Sequence, residues 1–279
     1  VTASTAIPES NIELDEARTC GVTVLRRAGM LASICAQAKS LAVAGTHGKT
    51  TTSSMLMLIL AEAGWRPSFV VGGDVTDVGT GAQWTGSDWL VVEADESDGT
   101  NLELPLHGTI LTNVDVDHLD HYGSFEGIVA GFDRYLGQVP GPKVVCADDP
   151  LVAELARRHG AITYGLGGTT DSDHLDVRAT DVRPDTGAFT FTLERRVDGG
   201  VERVGTIELP LRGVHNVVNA TGAAALALSI GVPFDAVHAA LARFGGVARR
   251  FDIRGVDGGA TFVDDYAHLP TEIAAVLAA

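Results

Sequence analysis

Residues 41–52 read LAVAGTHGKTTT, and this stretch decides the fold. An apolar strand at 41–44 runs directly into a glycine-rich turn, and a helix follows as far as Gly64, a residue typical of helix ends. Glycines let backbone N–H groups turn toward phosphate oxygens, and the helix N-terminus adds its positive dipole. The pattern is typical of a phosphate-binding loop, although Val43 stands where the GxxxxGK[ST] motif has its first glycine.

This loop supplies the first candidate site. Lys49 can reach the terminal phosphates of a nucleotide, and the Thr50 hydroxyl can hold Mg²⁺. The predicted nucleotide-binding residues of the loop are Gly45, Thr46, His47, Gly48, Lys49, Thr50 and Thr51. The alternative is a glycine-rich turn between a strand and a helix that binds nothing.

A second apolar strand, at 89–92, ends in the acidic run EADESD. Phosphate-loop enzymes place a Mg²⁺ ligand at such a strand end. Glu93 is the best candidate because it lies nearest the end of the strand. Four acids in six residues exceed what one ion needs, so one or two of them are expected to belong to a solvated loop.

A third strand, at 109–111, leads into TNVDVDHLDH. The carboxyl ends of parallel strands are where open α/β sheets bind ligands. We therefore interpret His118 as a functional residue, and for His121 a functional and a structural role stay equally open.

The remaining pattern fixes the fold class. Strands at 143–146 and 162–164 and a helix capped by Ser124 continue the alternation of strands and helices, which predicts a mainly parallel sheet. Residues 176–210 alternate polar and apolar side chains around 198–200, which predicts a small antiparallel β segment. We expect further helices at 13–21, 30–38, 216–230 and 234–244, and further strands at 22–25 and 260–263.

Three more polar clusters follow in the second half of the chain. His215, Asn216 and Asn219 lie at a helix start, where the amides can meet an adenine edge or Asn216 can cap the helix. Arg249 and Arg250 form either a phosphate clamp or a solvated surface pair. The cluster of Asp265, Tyr266 and His268 comes before a helix that begins with proline, which suits a binding loop.

Charge and composition exclude several classes of function. A formal net charge of −16 disfavours nucleic acid and anionic membranes as partners. No run reaches the roughly 20 apolar residues of a membrane-spanning helix, and the first ten residues do not form a signal peptide. Three scattered cysteines without a CxxC pair predict reduced thiols in a cytoplasmic protein.

Six segments resemble the Mur ligases in order and approximate spacing: GTHGKTTT, EADESD, TNVDVDHLDHYGS, GVHNVVNA, ARRFDIRG and DDYAHLPTE. The resemblance implies three parts: residues 1–38 as the end of a UDP-binding Rossmann-like domain, 39–253 as the central ATP-binding domain, and 254–279 as the start of a C-terminal domain. We therefore expect the chain to be a piece of a longer protein, which by itself binds ATP without ligating.

The resemblance also implies a reaction. L-Alanine would be joined to the carboxylate of UDP-N-acetylmuramate through an acyl phosphate, with ATP and Mg²⁺ as cofactors, for peptidoglycan synthesis in the cytoplasm. Lys49 and Arg250 would contact phosphates, Thr50 and Glu93 would hold one Mg²⁺, and His118 a second. Asn219 with His215 or Asn216 would meet the nucleotide, and Asp265, Tyr266 and His268 would face the substrates.

The sequence departs from the family pattern at two positions. Leu269 stands where the family usually has a second histidine, so we assign the polar role of that loop to His268. No lysine lies between His118 and Lys143, so no carbamylated lysine is expected. The alternatives are a murein-peptide salvage ligase, a later Mur enzyme, a folylpolyglutamate-type enzyme, or a nucleotide-binding module that does not ligate.

Overall fold

The computed structural model describes residues 1–4, 7–167 and 174–279. Its centre is a ten-stranded sheet in the order β12-β11-β10-β9-β8-β7-β3-β6-β4-β5. The parallel strands are β3 (Lys39–Ala44), β4 (Ser68–Val75), β6 (Trp89–Glu93), β7 (Gly108–Leu111), β8 (Lys143–Cys146), β9 (Ile162–Leu166) and β10 (Val177–Asp185). The antiparallel strands are β5 (Thr80–Gln83), β11 (Ala188–Val197) and β12 (Gly200–Leu209).

Helices cover both faces of this sheet. Two short sheets lie outside it: β1 (Thr2–Ala3) with β2 (Leu25–Arg26), and β13 (Asp252–Asp257) with β14 (Ala260–Asp264). The helices are α1 (Ile12–Thr19), α2 (Arg27–Cys35), α3 (Lys49–Glu62), α4 (Leu119–Tyr122), α5 (Phe125–Gln138), α6 (Pro150–Arg158), α7 (Val214–Ser229), α8 (Phe234–Ala242) and α9 (Pro270–Leu277). A 3₁₀ turn spans Thr100–Glu103.

Strand β3 shows why the fold has three layers. Leu41 and Val43 belong to the core shared with α3, α7 and α8, whereas Ala42 and Ala44 belong to the core shared with α5 and α6. Successive side chains of a strand point to opposite faces, so an uninterrupted apolar run is buried on both sides. The apolar segment 41–44 therefore lies at the centre of the sheet, directly before the phosphate loop.

Most of the predicted elements are confirmed. Ser124 accepts the N–H of Gly127 as the cap of α5, and the hairpin around 198–200 joins β11 to β12. The antiparallel strands extend the main sheet through β10, which pairs in parallel with β9.

Two expectations for the N-terminal region are wrong. The strand expected at 22–25 is the two-residue Leu25–Arg26, and the helix expected from 30 begins at Arg27. The bounds of this strand follow from its pairing with the first residues of the chain, where Leu25 lies opposite Thr2. Among the described residues, no helix is both long and apolar enough to cross a membrane.

Candidate active site

The phosphate loop is wound too tightly for side chains at two of its glycines. Gly45 and Gly48 have positive φ angles of 124° and 77°. A Cβ at Gly45 would lie 2.2 Å from Thr112 Oγ1, and one at Gly48 would lie 2.6 Å from Asn219 Oδ1. Both positions therefore require glycine, for the backbone conformation and for the close approach of neighbouring elements.

The side chain of Asn113 holds the phosphate loop in place through two hydrogen bonds to His47. Its Oδ1 accepts the His47 N–H at 2.8 Å, and its Nδ2 donates to the His47 carbonyl at 3.0 Å. The Thr112 hydroxyl donates to the same carbonyl at 2.6 Å. The sequence pattern predicts ligands after the strand that ends near 113 but no role for Asn113 itself, because nothing local connects Asn113 to a loop 66 residues earlier.

Lys49, the first residue of α3, folds back over the loop. Its Nζ donates to the carbonyls of Gly45 and Thr46, at 2.6 and 3.1 Å, and to Glu96 Oε1 at 2.9 Å. The ammonium group therefore lies against the loop, and its contact with phosphates stays a prediction.

Glu96 is a site residue that the sequence did not single out. It is 2% exposed, and its Oε2 has no hydrogen-bond partner among the described residues. Burial raises the pKa of Glu96, although Lys49 beside it acts in the opposite direction. The neighbouring acids have a structural role, since Asp95 and Asp98 both pair with Arg27 of α2, at 2.8 and 3.0 Å.

His118 lies beside this pair. Its Nε2 is 3.9 Å from Glu96 Oε1 and 3.2 Å from Asp117 Oδ2. His118 adopts a left-handed conformation, with φ of 50°, where the chain turns into α4. His121 is exposed and packs edge-on against Tyr122, so we give it a structural role.

The predicted metal pair Thr50 and Glu93 comes together. The Thr50 hydroxyl donates to Glu93 Oε2 at 2.9 Å, and the Gly72 N–H donates to the same oxygen at 2.9 Å. Arg250 reaches this point as well, with Nη2 3.4 Å from Thr50 Oγ1.

These residues fit Mg²⁺ by the chemistry of their donors. A hydroxyl and a carboxylate are hard oxygen ligands, and Mg²⁺ beside nucleotides usually takes only one or two protein ligands, with phosphates and waters completing its shell. Within the described parts of the chain, no group of three or more His, Cys, Asp and Glu is arranged to hold a metal. A metal held here would therefore share its coordination with phosphate oxygens.

The predicted amides share one face of α7. Asn219 Nδ2 donates to Asn216 Oδ1 at 3.3 Å, and Asn216 Nδ2 donates to the Arg212 carbonyl at 2.7 Å. The cap of α7 is Gly213, so the capping role considered for Asn216 is wrong. Burial lowers the pKa of His215 and thereby favours the neutral ring, while the charge of Asp265 has a smaller, opposite effect.

Arg249 and Arg250 both lie close to an aromatic ring. The guanidinium carbons of Arg249 and Arg250 lie 4.8 and 5.3 Å from the centre of the Tyr266 ring. Asp265 accepts the N–H groups of Phe251 and Ala267, both at 2.7 Å, and thereby shapes the loop. His268 is exposed, and its Nδ1 lies 3.1 Å from the Tyr266 carbonyl.

A cavity of about 450 Å³ lies beside the loop, and it is lined by only some of these groups. Among the predicted residues, Lys49, Thr50, Glu93, His118 and His268 do not line it. Its volume falls in the range of small-molecule sites, about 300–1,000 Å³. The predicted residues that line it are His47, Gly48, Thr51, His215, Asn216, Asn219, Arg250 and Asp265. The structure thus brings residues from four separate sequence segments to one pocket above the phosphate loop.

Comparison with known proteins shows which family this chain resembles. The model of the Mur ligase middle domain matches residues 43–227. The chain is 44% identical to UDP-N-acetylmuramate–L-alanine ligase from Methylocella silvestris and 43% identical to the protein of that name from Bradyrhizobium sp. strain BTAi1. Each comparison covers 100% of this chain and 60% of the relative, so the chain spans about 60% of the length of these curated relatives.

Solved structures agree with this placement. UDP-N-acetylmuramate-alanine ligase MurC from Thermotoga maritima matches with a TM-score of 0.84 and 29% identity, over 99% of this chain and 62% of that one. A UDP-N-acetylmuramate:L-alanyl-gamma-D-glutamyl-meso-diaminopimelate ligase from Neisseria meningitides matches with a TM-score of 0.74 and 25% identity, over 89% and 80%.

Proposed function

This chain belongs to the Mur ligase family, and from that membership we propose that it serves the ATP-dependent joining of L-alanine to the carboxylate of UDP-N-acetylmuramate. The observation that carries the proposal is identity of 42–44% along the whole chain to several relatives that bear the name of this reaction. The pocket above the phosphate loop supports the nucleotide-binding part of it.

The proposed reaction has two steps. A carboxylate oxygen of UDP-N-acetylmuramate attacks the γ-phosphorus of ATP, the bond to the bridging oxygen breaks, and ADP leaves. The amine of L-alanine then attacks the acyl carbon, phosphate leaves with the bonding electrons, and the amine proton is lost as the amide forms. The sum is one amide, ADP and phosphate for each ATP.

The charges around the loop suit the first step. An anionic carboxylate must approach an anionic phosphate, in a chain whose net charge is −16. Lys49 and Arg250 place two cations at the mouth of the loop, where fixed charges stabilise a transferring phosphoryl group. Bound Mg²⁺ supplies further neutralisation of the phosphates.

We assign the remaining roles on the same basis. Thr50 and Glu93 would hold one Mg²⁺ and His118 a second, while Gly45, Thr46, His47, Gly48 and Thr51 would form the phosphate cradle. His215, Asn216 and Asn219 would contact the nucleotide, and Arg249 would orient Tyr266 beside Arg250. His268 stays a proposed substrate contact.

We also propose the three-part division of the chain. Residues 39–253 would bind ATP, residues 1–38 would adjoin a UDP-binding part, and residues 254–279 would begin a part that brings the amino acid. A cytoplasmic location follows from the proposed use of ATP.

A murein-peptide ligase is the second candidate, favoured by the likeness to the Neisseria enzyme. The two reactions differ in the amine that is joined. ADP release by the protein that carries this sequence should be measured with ATP, Mg²⁺ and UDP-N-acetylmuramate, with L-alanine, D-glutamate, diaminopimelate or the tripeptide as the acceptor. We expect release that depends on L-alanine. Release only with the tripeptide would favour the second candidate, and no acceptor-dependent release would favour a module that does not ligate.

A further inference from the structure

The side chain of His47 contacts residues outside the phosphate loop. Its ring is 15% exposed and lies between two carboxylates. Nε2 is 3.0 Å from Asp115 Oδ2, and Nδ1 is 3.0 Å from Glu272 Oε1. Asp115 follows β7 and Glu272 is in the first turn of α9, so one ring contacts two segments that are 157 residues apart in the chain.

A second contact joins the same two segments. The Thr271 hydroxyl donates to Asp115 Oδ2 at 2.8 Å, the oxygen that also faces His47. Glu272 is held in turn by the N–H groups of His268 and Leu269, at 2.9 and 3.2 Å, which complete the start of α9. Leu269 has no side-chain acceptor, so the cap of α9 depends on this carboxylate.

Both carboxylates are suited to accept from the ring. Burial acts to raise the pKa of Glu272, but the N–H groups of His268 and Leu269, together with His47, lower it overall. The hydrogen bond from His47 is the largest cause that keeps the pKa of Asp115 below its ordinary value. A neutral imidazole can donate to only one of these groups, whereas the doubly protonated ring donates to both.

The position of α9 determines the shape of the nucleotide pocket. Thr271, Glu272, Ala275 and Val276 of α9 line the 450 Å³ cavity together with His47 and residues at the start of α7. A movement of α9 away from the loop would open the wall that these residues form. The contacts of His47 therefore lie where they can hold both the phosphate loop and the α9 wall of the cavity in position.

We propose that His47 is a positioning residue that ties the start of α9 to the phosphate loop, so that the C-terminal segment and the nucleotide pocket close together. This inference rests on the proposed binding of ATP. It adds to that proposal a connection between the loop and the last helix through a histidine side chain that need not touch the nucleotide.

Hydrogen–deuterium exchange of residues 270–279, with and without Mg·ATP, tests the connection. His47→Ala should accelerate exchange in α9 by about tenfold or more, because one hydrogen bond to a charged group corresponds to at least that factor. His47→Gln, which can donate to one carboxylate, should fall between this variant and the wild type. His121→Ala is the matched control, since that exposed ring packs on Tyr122, and it should leave α9 unchanged.

A second series avoids any folding defect at His47. Thr271→Val should accelerate exchange in α9, and Thr271→Ser, which keeps the hydroxyl, should restore it. The affinity for Mg·ATP should fall in both His47→Ala and Thr271→Val.

The outcomes separate this inference from the proposed function. If the wild-type chain fails to bind Mg·ATP, the proposed function fails, while exchange without nucleotide still tests the link. Unchanged exchange in both His47→Ala and Thr271→Val would overturn the inference. So would equal damage from both Thr271 variants, or faster exchange with unchanged affinity for Mg·ATP.

Discussion

Gly72 offers a sharp test of the proposed metal site. It lies in β4, and its N–H donates to Glu93 Oε2 at 2.9 Å. A Cβ added at this position would meet Glu93 Oε2 at 2.6 Å and Thr50 Oγ1 at 3.0 Å. Gly72→Ala therefore places a methyl group between the two proposed Mg²⁺ ligands.

The expected effect follows from these distances. Ordinary contact with a Cβ begins at 3.4 Å, so the Glu93 carboxylate, which is the far end of a flexible side chain, must move away by roughly 0.8 Å. Glu93 then weakens its bonds to Gly72 and Thr50. Displacing groups that orient metal ligands typically costs 10–100-fold in metal affinity, and we expect a loss of about that size for Mg·ATP.

Titration with a fluorescent ATP analogue at varied Mg²⁺ measures this loss. Gly29→Ala is the matched control, because a Cβ at Gly29 meets nothing within 4 Å and alanine favours the helix α2 that contains it. The control should bind like the wild type. If Gly72→Ala binds Mg·ATP as tightly as Gly29→Ala while remaining folded, Glu93 and Thr50 do not hold the metal.

Three further predictions concern buried groups. Glu96→Gln should tighten ATP binding about tenfold in the same titration, because Lys49 then binds the phosphates without giving up an ion pair with a carboxylate. Weaker binding by this variant would instead make Glu96 part of the nucleotide site. Burial raises the pKa of Glu96, against the opposing effect of Lys49. The Glu96 carboxyl group therefore stabilises the fold fully below its unfolded pKa, and this stabilisation is lost as pH rises through its folded pKa. Thermal unfolding should therefore show the Gln variant gaining on the wild type from acidic to neutral pH, and parallel curves would refute this. Burial raises the pKa of Cys35 to about 11 and of Cys146 to about 12, so iodoacetamide at mildly alkaline pH should label only the exposed Cys20; rapid labelling of either buried thiol in folded protein would contradict the burial.

The parts of the fold that follow local rules could be predicted from the sequence. The apolar run at 41–44 predicts a strand directly before the phosphate loop, and Ser124 predicts a helix start. The sequence indicates Glu93 because a carboxylate at the end of a buried strand lies at the edge where parallel sheets bind ligands. The resemblance to the Mur ligases implies that Glu93 and Thr50 share one Mg²⁺, and the structure places Thr50 Oγ1 2.9 Å from Glu93 Oε2.

What the sequence could not supply depends on contacts between distant segments. Strand β4 was missed because the two glycines and the aspartate in SFVVGGDV interrupt its apolar pattern, whereas in the structure β6 and β5 pair with it on either side. Glu96 looked like one acid among four, and its burial against Lys49 is a tertiary effect. The contact of His47 with Glu272 joins residues 225 positions apart, which no local pattern reveals.

Binding of Mg·ATP to the 279-residue chain, measured by titration calorimetry beside Lys49→Ala, tests the central claim most directly. Lys49 contacts two loop carbonyls and Glu96, so circular dichroism should first establish that the variant is folded. We predict that the wild type binds one Mg·ATP and that Lys49→Ala loses at least about tenfold in affinity, because a charge-assisted hydrogen bond to phosphate is removed. Equal affinities in the two proteins, or no binding by the wild type, would contradict the assignment of this loop as the nucleotide site.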